Sequence, residues 1–369
     1  MRPTPCDPAE LPALLPRALA GDLVLAPVDP ASAAPTLRML RPDEPVTEPD
    51  AALIVATSGS TGTPKGVVLS RRALVAAAES AQRVTGPLAW TLALPPHYVA
   101  GAMVVVRSTV AGTPMSVVSS DLSDLVAPDL PSAISIVPTQ LHRALASERI
   151  TAALRAHDLV LLGGAAPPPG LIDRAARAGV RVVTTYGMSE TCGGCVWDGR
   201  PLPGVEVELG ASGRISLHGD MAFSGYRLRP DLTADTLVDD RTVLTRDRGE
   251  WSDGLLHLLG RLDDVVISGG VNVDLSALER AASRLTGHPV AAIGVPDDEW
   301  GTRVVLASTD PRDLDAWRDD LRGHLLAAAL PRQLLRPAAL PRTSSGKIDR
   351  RALMEWAGEG ERESRGHSQ

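Results

Sequence analysis

The chain has 369 residues, 44% hydrophobic and 22% charged, enough for two or three domains of an ordinary globular protein. Its net charge of -7 argues against a nucleic-acid binder, whose basic stripe should show in the balance, but leaves nucleotide binding open. No stretch approaches the roughly 20 apolar residues of a membrane span, and the first residues lack a signal-peptide apolar run, so the expectation is a cytoplasmic protein without membrane insertion.

Residues 1–50 are rich in Pro, Ala and Asp and read as a lead of helix and loop. From Leu53 the pattern changes. Short apolar strands are expected at 53–56 and 67–69, with a Gly/Ser/Thr loop between them and an amphipathic helix at 71–84. Buried strands follow at 90–94, 134–137, 159–162 and 180–184, with helices at 139–147 and 171–178. This alternation predicts an α/β fold, a sheet flanked by helices. From Gly204 the chain is strand-rich, at 205–209, 214–217, 242–245 and 255–259.

A second break falls near 261–264. Beyond it come a strand at 265–267, a Gly269-Gly270 turn, a helix at 275–285, strands at 290–295 and 304–308, and a helix at 313–329. The domains expected are 1–262, a large part with parallel-rich sheets and a β-rich subdomain, and 263–356, a small α+β unit. Residues 357–369 are polar and read as a disordered tail.

The loop TSGSTGTPKG at 57–66 is the strongest chemical signal. Gly59, Gly62 and Gly66 let backbone N–H groups turn inward. Thr57, Ser58, Ser60, Thr61 and Thr63 add hydroxyls, and Lys65 adds a positive charge. Such a loop suits a polyphosphate. It is not a Walker motif, because Pro64 precedes the lysine and Gly66 follows it.

Elsewhere the residue types alone leave more than one role open. Lys347, in the run PRTSSGK, can be a surface lysine or a cation delivered by a flexible loop. Glu190 can be an exposed carboxylate or an oxygen ligand for magnesium. Asp247 and Arg261 sit beside turns, as surface ion pairs often do. The three cysteines are Cys6, Cys192 and Cys195. Cys192 and Cys195 have CxxC spacing, but no second ligand pair accompanies them, so they read as small packed residues.

These segments, taken in order, resemble the acyl-adenylate-forming enzymes: acyl-CoA synthetases, adenylation domains and luciferases. The loop at 57–66 is similar to that family's phosphate signature. YGMSET at 186–191 resembles its adenine and magnesium segment, and SGY at 224–226 the short motif before the ribose site. TRDRGEW at 245–251, GRLDD at 260–264, SGGVN at 268–272 with Glu279, and PRTSSGK at 341–347 match its later motifs. The resemblance implies ATP, Mg2+ and coenzyme A as cofactor and co-substrates, with a small carboxylic acid as the other partner. It implies that Lys347 is catalytic and that Glu190 holds the metal. Asp247 would bind the ribose hydroxyls with Arg261 close by, and Gly163, Gly164, Ala165, Tyr186 and Gly187 would lie about the adenine. Asp263 would be the hinge of a mobile C-terminal domain, and Gly269 and Gly270 would line the coenzyme A channel.

Within that family the short front, PPHYVAG at 95–101 and TYGMSETCGGC at 185–195 resemble the o-succinylbenzoate–CoA ligases of menaquinone synthesis. That acid carries a second carboxylate, which implies donors in the acyl pocket. His97 is either such a donor or a loop histidine, with Ser189 beside it and Arg143 as a further candidate. The shortened front leaves a surface to cover, and a homodimer interface is one way to cover it.

Overall fold

The computed structural model describes residues 1–58, 64–343 and 347–366. The chain divides into two compact units. The first is Met1–Ala166, Asp173–Thr245 and Trp251–His257; the second is Pro167–Ile172, Arg246–Glu250 and Leu258–Gln369. The division near Leu258, and the return of two earlier segments to the second unit, differ from the expected single boundary at 262/263. Segments distant in sequence join by packing, which no local composition change records.

In the first unit, a five-stranded sheet runs in the order Pro3–Cys6, Val24–Pro27, Ala51–Ser58, Pro64–Ser70, Gly225–Tyr226. The first three strands are parallel and the last two pair antiparallel. Residues 1–50 are therefore not merely helix and loop. Two strands of four residues, PTPC and VLAP, join the sheet, with the helix Leu11–Ala20 between them. Proline masks such strands, yet the edge strand Pro3–Cys6 tolerates it because its outer N–H groups need no partner, and Pro27 stands at the end of Val24–Pro27.

The second sheet has seven strands in the order Arg200–Pro201, Gly193–Trp197, Val182–Met188, Leu159–Leu162, Ser132–Ile136, Ala89–Leu92, Met115–Val117. The last five are parallel, and Gly193–Trp197 pairs antiparallel with Val182–Met188. The helix Arg71–Thr85 starts where Ser70 caps it, its Oγ accepting from the Ala73 N–H at 3.0 Å. It packs on the helix Val99–Ala111. The latter is buried continuously from Gly101 to Ser108, so it shows no polar stripe to mark it as helical. A third sheet follows the order Val205–Leu209, Arg214–Gly219, Thr242–Ser252, Leu255–Arg261. The fold is thus α/β, with helices packed on mainly parallel sheets and a β-rich part.

In the second unit, Val265–Ser268 and Val271–Asp274 form a hairpin around Gly269 and Gly270. Val290–Asp297 and Gly301–Ser308 pair antiparallel, and Gln333–Leu335 adds a parallel strand. The core gathers Leu278, Ala282, Val304, Leu306 and the fully buried Trp317. The helix expected at 313–329 stops at Leu321, the last residue of Leu314–Leu321 to reach the core; Gly323 follows, and only a short 3-10 turn forms at Ala327–Ala329. The tail expected at 357–369 is helical as far as Gly366, and 367–369 lie outside the described residues. Arg350–Gly366 is one helix, held down by Leu353 and Ala357, both fully buried, and continued by helix-forming Glu and Arg. Among the described residues no helix is long and apolar enough to cross a membrane.

Candidate active site

The two strands flanking the phosphate-type loop pair with Thr57 opposite Lys65 and Ala56 opposite Gly66. The Thr57 hydroxyl donates to the Lys65 carbonyl at 3.4 Å. Ser58 ends the first strand, while Gly59, Ser60, Thr61, Gly62 and Thr63 lie outside the described residues. Gly66 must lack a side chain: a Cβ there would sit 2.6 Å from Met39 Sδ and 2.9 Å from Arg227 Cβ. Lys65 Nζ lies 5.4 Å from the ring centroid of Tyr226, within cation–π range.

Tyr226 links this lysine to Glu190. The strand Gly225–Tyr226 pairs with Pro64–Ser70, setting Tyr226 opposite Val67. Its hydroxyl donates to Glu190 Oε1 at 2.6 Å. Glu190 sits in the 3-10 turn Ser189–Thr191, with Ser189 half-buried beside it. The Thr191 hydroxyl accepts from the Met188 N–H at 3.0 Å and donates to the Gly193 carbonyl at 2.9 Å, while the Phe223 N–H donates to the Glu190 carbonyl at 2.9 Å. Lys65, Tyr226 and Glu190 thus converge from three separate elements.

Among the described residues no three His, Cys, Asp or Glu side chains gather round one point. Glu190 offers one half-buried carboxylate, fixed by the Tyr226 hydroxyl. That fits magnesium, an ion usually held by one or two carboxylates together with substrate phosphates and water.

Gly163, Gly164 and Ala165 follow directly on the strand Leu159–Leu162, at the carboxyl end of the parallel sheet where ligands collect. A Cβ on Gly163 would meet Thr185 Oγ1 at 2.5 Å, and Gly164 has φ +84°. Tyr186 and Gly187 lie in the next strand, opposite Val196 and Gly194.

His97 follows the strand Ala89–Leu92, its ring centroid 4.2 Å from that of Tyr98. Burial lowers its pKa below 6.5, against the opposing pull of Asp29, so at neutral pH it is a neutral donor rather than a charged one. Arg143 is exposed on the helix Pro138–Ala144. Cys192 and Cys195 are buried free thiols, as packed small residues would be.

Arg107 is a buried cation that the sequence reading did not single out. It is 7% exposed, stacks over Trp90 at 5.1 Å, and its Nε has no hydrogen-bond partner. Burial pushes its pKa down to about 10, with Cys192 as the nearest opposing influence. It is still a cation at neutral pH. The signal was present in the sequence: an arginine inside the apolar run AMVVVRSTV.

Within the second unit, Arg261 Nη1 meets Asp247 Oδ1 at 3.0 Å. Asp263 is held by Arg246 at 2.9 Å and Arg261 at 3.3 Å. Burial alone would raise the Asp263 pKa, but the two guanidinium groups outweigh it and hold it below 3.8. Gly269 (φ +57°) donates its N–H to the Trp300 carbonyl at 2.9 Å, and a Cβ there would lie 3.0 Å from the Trp300 ring; Gly270 faces open space. Lys347 is exposed, its carbonyl accepting from the Thr343 N–H at 2.8 Å. Glu279 accepts from Arg350 Nη2 at 2.6 Å and from the Ala292 N–H at 2.8 Å.

The model of the AMP-binding enzyme family matches residues 11–226. The chain belongs to that family. It is 41% identical over 367 residues to a probable 2-succinylbenzoate–CoA ligase of Mycobacterium tuberculosis (strain H37Rv), covering 91% of this chain and 94% of that protein. It is 33% identical over 319 residues to the 2-succinylbenzoate–CoA ligase of Escherichia coli (strain K12), covering 81% and 68%. Among solved structures, wild-type E. coli MenE with a bound m-phenylether-linked analogue of OSB-AMS superposes with a TM-score of 0.71 at 26% identity, over 92% of this chain and 83% of that one. The amide bond synthetase McbA of Marinactinospora thermotolerans shares the fold, with a TM-score of 0.81 at 21% identity over 96% and 89%.

Family membership gives the grouped residues a chemical setting. The reacting groups in an AMP-binding enzyme are anionic, so fixed cations and a metal-holding carboxylate are the parts it needs. Lys65 and Glu190 stand at one described cluster.

Proposed function

We propose that the protein is an ATP-dependent, AMP-forming ligase that joins o-succinylbenzoate to coenzyme A, the step that the resemblance assigns to menaquinone synthesis. The observation that carries this reading is the grouping of Lys65, Tyr226 and Glu190 at the base of the 57–66 loop. The likeness to 2-succinylbenzoate–CoA ligases along most of the chain supports the choice of acid.

A carboxylate oxygen of the acid attacks the α-phosphorus of ATP. The bond to the bridging oxygen breaks, and pyrophosphate leaves. The thiol of coenzyme A then loses its proton and attacks the acyl carbonyl; the C–O bond breaks and AMP leaves.

In the first step two anions must meet, which costs Coulomb energy that fixed cations offset. Thr57, Ser58, Gly59, Ser60, Thr61, Gly62 and Thr63 would cradle the phosphates with Lys65, and Lys347 would supply a cation to the transition state. Magnesium, when bound, neutralises phosphate charge; Glu190 would hold it and Tyr226 would aim Glu190. Gly163, Gly164, Ala165, Tyr186 and Gly187 would receive the adenine, and Asp247 the ribose hydroxyls with Arg261 orienting it.

The second carboxylate of the acid calls for donors. His97, a neutral donor, and Ser189 would serve it in the acyl pocket, and the buried cation Arg107 is a further candidate. For the second step, Gly269 and Gly270 would line the path of the narrow pantetheine arm, and Asp263 would be the hinge between steps. The partners are small molecules in the cytoplasm, with a homodimer as the assembly.

The test is pyrophosphate release over a panel of acids, with and without coenzyme A. The expected result is the highest kcat/KM for o-succinylbenzoate and thioester formation only with coenzyme A. A fatty acid or amino acid turned over best, or transfer to a carrier protein instead of coenzyme A, would overturn the assignment.

A further inference from the structure

We infer that Arg227 is a positioning residue for the Glu190 carboxylate, tying the N-terminal segment to the metal-holding end of the site. The inference rests on the reading of Glu190 as the magnesium ligand.

Arg227 is 2% exposed, and among the described residues its guanidinium meets backbone carbonyls rather than a carboxylate. Its Nε donates to the Leu40 carbonyl at 2.9 Å, its Nη1 to Pro45 at 2.6 Å, and its Nη2 to Arg41 at 3.1 Å and Glu44 at 2.7 Å. All four acceptors lie in one short stretch, residues 40–45. Leu40 ends the helix Ala33–Leu40, and Arg41 caps it at φ +45°. The exposed carbonyls of a helix end carry partial negative charge, so a buried guanidinium is well placed there. An apolar side chain would fill the same space without the cost of desolvating a charge. What the guanidinium adds is a fixed direction at each of its N–H groups.

The backbone of Arg227 is fixed from the other side. Its N–H donates to the Gly66 carbonyl at 2.8 Å, beside Lys65. Gly66 approaches so closely that it has no room for a Cβ. The neighbouring residue is Tyr226. Successive side chains of a strand point to opposite faces. Arg227 turns toward residues 40–45, while Tyr226 turns toward Phe223, edge-on at 4.9 Å, and toward Glu190 at 2.6 Å. A clamp on Arg227 therefore sets the Tyr226 backbone, and the Tyr226 hydroxyl sets the carboxylate.

The experiment compares Arg227→Met, Arg227→Lys, Tyr226→Phe, the double variant Arg227→Met/Tyr226→Phe, and Glu190→Gln in the full chain. Mn2+ replaces Mg2+, and its binding in the presence of ATP is read from the free-ion electron paramagnetic resonance signal. Melting temperature and KM for the acid are measured alongside. Arg227→Met and Tyr226→Phe should each weaken Mn2+ binding by about tenfold, the usual scale for partners of a metal ligand, with KM for the acid unchanged. The double variant should be no worse than either single one, and Arg227→Lys should recover part of the loss. Wild-type Mn2+ binding in folded Arg227→Met, or single losses that multiply in the double variant, would overturn the inference. If Arg227→Met does not fold, Arg227→Lys decides: wild-type binding there overturns it. Glu190→Gln separates the two readings, since unchanged Mn2+ binding in that variant defeats the magnesium assignment itself.

Discussion

A Cβ added to Gly187 would lie 2.0 Å from the carbonyl oxygen of Gly193, the same oxygen that accepts the Thr191 hydroxyl. Gly187 pairs with Gly194, and Gly193 with Met188, across the hairpin whose turn carries Glu190. Gly187→Ala should force these strands apart and displace that turn. The expected cost is about 1–3 kcal/mol of stability, with acyl-AMP formation reduced more than the fall in folded fraction explains. Denaturant midpoints and pyrophosphate release on one preparation check this, and a wild-type midpoint would refute it.

Lys347 and Gly269 should separate the two half-reactions. Lys347→Ala should cripple acyl-AMP formation yet leave transfer from supplied acyl-AMP to coenzyme A. Gly269→Val meets the Trp300 ring and a left-handed backbone, and should slow the transfer step instead. Asp263→Pro should likewise spare adenylation if it fixes the hinge in that pose. Rapid-quench measurement of each step decides. Equal slowing of both steps by Lys347→Ala would make the lysine structural.

The second carboxylate of the acid gives a third expectation. Arg107→Leu should raise KM for o-succinylbenzoate by more than His97→Ala does, because a buried cation is lost rather than a neutral donor. Loss of a hydrogen bond to a charged group is on the order of 1.5–3 kcal/mol. Neither change should alter KM for ATP. Steady-state kinetics check this, with benzoate, which lacks the second group, as the control. An unchanged KM for o-succinylbenzoate in Arg107→Leu would remove that residue from the pocket.

Burial raises the Cys195 pKa from 9.0 to about 12 and shifts Cys192 in the same direction. A raised folded-state value means that the fold favours the neutral thiol. The stability it contributes is complete below pH 9.0 and is lost as pH climbs toward about 12. A Cys192→Ala/Cys195→Ala variant should therefore lose less stability across that window than the native chain. Thiol reagents should titrate these cysteines only in denaturant, and the purified protein should hold no stoichiometric zinc. Zinc retained by the native chain and absent from the variant would contradict the packed reading.

The order of the motifs and much of the secondary structure between them are legible in the residues alone. The strands at 159–162 and 205–209 form as expected, because apolar runs and turn residues are local signals. The sequence also marks Lys65, Glu190, Asp247 and Arg261 as candidates. Three relationships come from folding in space: Tyr226 joins Lys65 to Glu190, Arg261 holds both Asp247 and Asp263, and Arg227 clamps residues 40–45. Those partners lie 14 to 187 positions apart in sequence, except for the Arg261–Asp263 pair. The helix Val99–Ala111 was hidden for a related reason: it is apolar all round, so its periodicity vanishes while its burial is complete. The proline-bearing strands at Pro3–Cys6 and Val24–Pro27 were hidden because their pairing comes from the sheet rather than from their own propensity.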